Sequence, residues 1–201
     1  MNFLAHFQLA QPTEESRVGA ILGDFVRGRP ETLVFQYPPA VIEGILLHRA
    51  IDRFTDDDPA FQLLKPLLAP ERRRFAGIII DIYFDHFLTC HWHQFESQPL
   101  PEFISSIHSL LETRAAWLPP KLQLLLPRIH QEGWLNNHAT LAGSAKTLRR
   151  VSERRPFLKP LAGSEEDLKR HYQVFELHFL EFYPRLLTFA RNWSLPPSGN
   201  P

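Results

Sequence analysis

The chain is poor in the residues that small folds use as staples and tight turns. Its single cysteine, Cys90, rules out an internal disulfide. Nine glycines against eighteen prolines suit helices punctuated by proline better than hairpins, which lean on Asn-Gly or Asp-Gly turns. Apolar runs such as 77–80 and 122–126 fall far short of the roughly 18 residues that a spanning helix needs. Charge of either sign is not in excess: 22 Lys and Arg balance 22 Asp and Glu. Bulk electrostatics therefore give no reason to expect nucleic acid or a membrane as partner. The opening MNFLAHFQLA has neither a basic n-region nor an adequate apolar h-region. Together these absences predict a soluble, cytoplasmic protein; oligomeric state is not legible.

What is present is a core-forming, helical chain. With 44% hydrophobic and 12% aromatic residues in 201, the length suits one domain, predicted over residues 1–193, with SLPPSGNP at 194–201 as a disordered tail. The fold class expected is all-α, a single-domain helical bundle. Thr13 with Glu14 and Glu15 reads as an N-cap and acidic first turn, opening a helix that ends near Gly28 with Asp24 close to its end. Pro38 and Pro39 start a second helix, and Asp58-Pro59 a short third, with Asp56 and Asp57 as its solvated lead-in. A long helix follows Pro70, apolar all round from Phe75 to Leu88. Others are expected at about 100–117, 119–133 and 139–151. A last one runs from a Ser164 cap, with Asp167 at the capping-box offset, to about Arg191.

The informative residues are polar ones in apolar company. His48 and Asp52 in GILLHRAIDRF, and Asp81 and Asp85 in GIIIDIYFDHFL, are pairs spaced i, i+4, so each pair shares a helix face; His86 adjoins the second. An ionised carboxylate among Ile, Leu and Phe needs a partner. Arginine is one candidate, and on an exposed helix a His/Asp pair is an ordinary ion pair. A divalent metal is the other. Carboxylates mixed with imidazoles suit Mn²⁺, Mg²⁺ or Fe²⁺, whereas structural zinc prefers thiolates. Cys90, His91 and His93 are read as helix-end packing rather than as a zinc site. Arg27, Arg49 and Arg53 are the right type to clamp a phosphate with a planar double donor. The residues alone thus point to a metal-dependent phosphohydrolase. A ferritin-like di-iron site is disfavoured, because no Glu has a His three residues on. A non-catalytic helical module would leave the acids without a purpose.

MNFLAH, GAILGDFVRG, GILLHRAIDRFTD, DIYFDHFLTCHW, and FEL followed by FLEFYPRL, in that order along nearly the whole chain, resemble the acyl carrier protein phosphodiesterase family. The resemblance implies hydrolysis of the phosphodiester joining 4′-phosphopantetheine to a serine of holo-acyl carrier protein. It also implies a divalent metal, foremost Mn²⁺, and a helical fold related to HD-domain phosphohydrolases. Carried over residue by residue, it makes Asp24, His48, Asp52 and Asp81 the metal-binding core. Asp85 becomes a further ligand or base, His86 and His6 become proton-transfer groups, and Asn2 precedes His6 in the same motif as a substrate contact. The adjacent His-Asp pair of HD domains is absent here, since three residues separate His48 from Asp52. The family's carrier-protein partner is small and acidic. A basic rim of Arg27, Arg29, Arg49, Arg53 and Arg72 to Arg74 is therefore expected to steer it. A related phosphohydrolase acting on a nucleotide or other small phosphate ester is the alternative.

Overall fold

The computed structural model describes residues 1–195 other than 132, 134 and 136, and the backbone alone at 60, 130 and 137. Of the expected tail, residues 194 and 195 carry no helix and 196–201 lie outside the described residues. Among the described residues every regular element is helical. In chain order these are α1 (Phe3–Leu9), α2 (Glu14–Phe25), α3 (Pro30–Leu33), α4 (Pro39–Asp56), α5 (Pro59–Leu64), α6 (Ala76–Cys90) and α7 (Trp92–Phe95). They continue with α8 (Leu100–Thr113), α9 (Pro120–Gln123), α10 (Leu126–Gln131), α11 (Leu141–Ser152), α12 (Glu165–Arg170) and α13 (Tyr172–Asn192). No described helix is long and apolar enough to cross a membrane.

Several boundaries follow the sequence and several do not. Thr13 caps α2, its hydroxyl accepting from the Ser16 amide at 3.2 Å. The helix expected after Pro70 opens instead as a 3-10 turn, Pro70–Phe75. There Arg72, Arg73 and Arg74 donate to the carbonyls of Pro160, Leu68 and Phe157. The 119–133 segment divides into α9 and α10, which places Pro127 in the first turn of α10, where its missing N–H costs nothing. The last helix breaks at His171. Asp167 does not form the expected capping box. It is buried, accepting from Arg72 Nη1 at 3.0 Å and from the Ala69 amide at 3.2 Å, because a desolvated carboxylate gains more from a guanidinium than from its own helix.

The interior helix is α6, with Ile79, Ile80, Tyr83, Phe84, Phe87 and Leu88 all fully enclosed. Phe84 meets Phe179 and Phe182 of α13 at ring separations of 5.4 and 5.7 Å. Each buried Phe contributes about 2–3 kcal/mol of transfer free energy. In front of this layer α2 and α4 cross at glycine. A Cβ on Gly44 would lie 2.6 Å from the Ser16 carbonyl oxygen, and one on Gly19 would lie 2.5 Å from that of Val41. Backbone atoms cannot yield as a side-chain tip can. Gly44→Ala is therefore expected to cost about 3 kcal/mol by overpacking, read as a lower urea midpoint with an unchanged m-value.

Candidate active site

Four helices deliver the site. His48 and Asp52 come from α4, Asp24 from the end of α2, His6 from α1 and Asp81 from α6. The backbone sets the orientation of His48: its Nδ1 donates to the Ala20 carbonyl at 2.7 Å, which turns Nε2 toward Asp52 at 3.2 Å and Asp24 at 3.6 Å. Gly23 makes room for that ring, since a Cβ there would meet His48 Cγ at 2.2 Å. His6 stacks on His48 with centroids 3.7 Å apart, and its Nε2 lies 3.1 Å from Asp52 and 3.0 Å from the Met1 carbonyl. Its Nδ1 is buried without a hydrogen-bond partner among the described residues. The Met1 ammonium stands between Asp52, at 3.3 Å, and Asp81, at 3.2 Å.

The charges sort themselves accordingly. Burial lowers the pKa of His48, but its hydrogen bonds to Asp24 and Asp52 outweigh this and raise it to about 9. Burial, and then the neighbouring His48, pull His6 down to about 4. Two stacked imidazoles thus carry one charge. Burial pushes Asp52 and Asp24 up, yet the bond to His48 more than offsets it, and both sit below the usual carboxylate range. Burial keeps Asp81 above it despite the Met1 ammonium. One nitrogen of His6, one of His48 and one oxygen of Asp52 lie within 4.8 Å of one another. This donor set fits a divalent cation: two imidazoles and a carboxylate converge, and a backbone carbonyl orients one of the ligands.

The acids are wetter than their neighbours in sequence suggest. Asp24, Asp52 and Asp81 retain 54%, 40% and 28% of their side-chain exposure, and all three line a cleft of about 810 Å³. Asn2 lines it too, as does Asp56, one turn beyond Asp52. Asp56 was expected to be a solvated lead-in; the continuing stripe 48, 52, 56 is the signal that places it here. Lys121, Arg128, His138, Arg150, Glu153 and Arg154 are among the residues that line it from later in the chain, and no motif announced them.

Other expected residues are engaged elsewhere. Asp85 is buried and accepts from the Leu4 and Ala5 amides at 3.3 and 3.4 Å. It holds the first turn of α1, and through it the placement of His6, rather than lining the cleft. Nδ1 of His86 donates to the His138 carbonyl at 2.7 Å, leaving Nε2 to accept from Tyr172 Oη at 3.0 Å. Both ring nitrogens are thereby spent on packing α6 against its neighbours. Arg49 donates to the carbonyls of Gly28 and Val26, so it braces the α2–α3 connection instead of reaching a ligand. Arg72, Arg73 and Arg74 leave the rim for the same reason, since backbone carbonyls already take up their donors. Arg27, Arg29 and Arg53 are exposed, and none of them lines the cleft.

The chain as a whole has relatives among known proteins. A family model described as acyl carrier protein phosphodiesterase matches residues 1–186. The acyl carrier protein phosphodiesterase of Enterobacter sp. (strain 638) is 39% identical over 196 residues, covering 97% of this chain and 100% of the relative. That of Yersinia pestis is 37% identical over 193 residues, covering 96% and 98%. No solved structure matches significantly. With the family model spanning residues 1–186 and a relative 39% identical over 97% of the chain, the chain belongs to the acyl carrier protein phosphodiesterase family.

Proposed function

We propose that this chain hydrolyses holo-acyl carrier protein to apo-acyl carrier protein and 4′-phosphopantetheine, with residues 1–193 acting as one metal-dependent catalytic domain. The observation that carries the reading is the convergence of His6, His48 and Asp52, with Asp52 joining Asp24 and Asp81 on one cleft. His6, His48 and Asp52 would hold a divalent ion, Mn²⁺ foremost and Mg²⁺ or Fe²⁺ otherwise, with Asp24 and Asp81 completing its shell. What such an ion supplies is polarisation of a phosphoryl oxygen and easier ionisation of water.

The chain's own groups do the rest. An attacking water passes its proton to a carboxylate of the cleft outside that shell, and Asp56, exposed one turn beyond Asp52, is placed to accept it. Attack at phosphorus breaks the bond to the serine oxygen, which takes up a proton as apo-protein leaves. Asn2, on the rim of the cleft, is positioned to bond the ester. Arg27, Arg29 and Arg53 remain to steer an acidic carrier protein, a smaller rim than the sequence suggested.

Incubation of the purified chain with holo-acyl carrier protein and Mn²⁺, followed by mass spectrometry, is expected to show the apo-protein mass and free 4′-phosphopantetheine. An intact holo mass with all three ions, alongside hydrolysis of nucleotide phosphates, would instead select the small-ester alternative.

A further inference from the structure

The cleft is lined by two kinds of surface. Asp24, Asp52, Asp56 and Asp81 come from α2, α4 and α6; among the described residues of the later segment 121–154, the charged ones lining the cleft are Lys121, Arg128, Arg150, Arg154 and Glu153. Among the described residues no hydrogen bond or ion pair engages the side chain of Lys121 or Arg154. The cleft's acids and bases balance as a whole, but its cationic side chains come from a separate part of the chain and offer an anion charge-assisted donors. His138 adds an independent observation. It is 1% exposed and borders the cleft, yet neither of its ring nitrogens has a hydrogen-bond partner among the described residues. A buried polar group is ordinarily paired, so an unmet imidazole at a cleft wall calls for a ligand. Burial, and then His86, hold its pKa down at about 4. The ring is thus neutral at pH 7, with one N–H to donate and one lone pair.

We infer that the 121–154 wall is a phosphate subsite, in which Lys121 and Arg154 balance the charge of a phosphate ester and His138 donates a hydrogen bond to one of its oxygens. The identity of the ester rests on the proposed function; the presence of an anion subsite does not. The placement puts the ester's charge on one wall while Asp24, Asp52 and Asp81 face the same space. One wall therefore holds the phosphoryl group, and the other is left to handle water and cation.

The test is calorimetric titration of inorganic phosphate, and separately of 4′-phosphopantetheine, into the full chain with and without Mn²⁺. For Lys121→Gln with Arg154→Gln the dissociation constant of both probes is expected to rise about tenfold without Mn²⁺, the gap closing at high salt. Lys146→Gln, on the exposed face of α11, should change nothing. His138→Phe should weaken both probes about fivefold and leave the melting temperature unchanged or higher, because no partner in the protein is lost. Unaltered phosphate binding in the double variant overturns the subsite, even if carrier-protein binding weakens, for the cations would then serve a protein surface. A large drop in melting temperature for His138→Phe assigns that ring to packing and removes it from the subsite. If wild type leaves holo-acyl carrier protein intact but the variants still lose phosphate, the subsite stands and the substrate reading falls.

Discussion

Asp52→Asn is expected to lower the turnover of holo-acyl carrier protein by ~10³, about 4 kcal/mol of transition-state stabilisation. Asp52 is where the site's interactions converge: His48 at 3.2 Å, His6 at 3.1 Å and the Met1 ammonium at 3.3 Å. Asn keeps the shape but offers no negative charge and only one acceptor oxygen. It cannot hold a cation beside two imidazoles, and it no longer supports the charge on His48. Mn²⁺ affinity, followed by calorimetry, should fall together with the rate. Stability should change by only about 1 kcal/mol, because Asp52 is 40% exposed and solvent-screened pairs contribute little. A variant with full Mn²⁺ affinity and wild-type turnover would remove Asp52 from the centre of the site.

The helical character and the α4 half of the site were legible because they are local. His48 and Asp52 share a stripe set by the 3.6-residue period alone, and Thr13 announces its helix through its own side chain. Asp81 and Asp85 obey the same spacing but meet different surroundings. On a helix apolar all round, periodicity says that a residue is buried without saying which neighbour lies above it. Asp81 opens on the cleft, whereas Asp85, one turn on, lies under the amides that start α1. The arginines were misread for a related reason. A guanidinium next to a candidate ligand in sequence points wherever carbonyls are open, and for Arg49 these are Val26 and Gly28. The basic wall from Lys121 to Arg154 was invisible because only the tertiary fold brings it to the acids. Composition reports its charge but not its address.

Asp85 separates a supporting role from a chemical one. Asp85→Ala leaves the Leu4 and Ala5 amides without their acceptor, at a cost of about 3 kcal/mol for two buried donors. It should also release α1, and with it His6, so activity falls alongside stability. Asp85→Asn keeps an acceptor oxygen for those amides and should retain both. Its pH signature has a definite sign. Burial raises the Asp85 carboxyl to about 7, against 3.8 for an ordinary carboxylate, so between these values the folded chain binds a proton that the unfolded chain has released. The stabilising contribution of Asp85 is therefore complete below pH 3.8 and is lost as pH rises through about 7. Urea denaturation of wild type minus Asp85→Asn should show that difference shrinking from acid to neutral pH by up to ~4 kcal/mol, one factor of 1.36 per pKa unit. Asn has nothing to ionise and should give the more level profile. If Asp85 were instead a metal ligand or base, the Asn variant would lose turnover about as severely as Asp52→Asn while its stability stayed close to wild type.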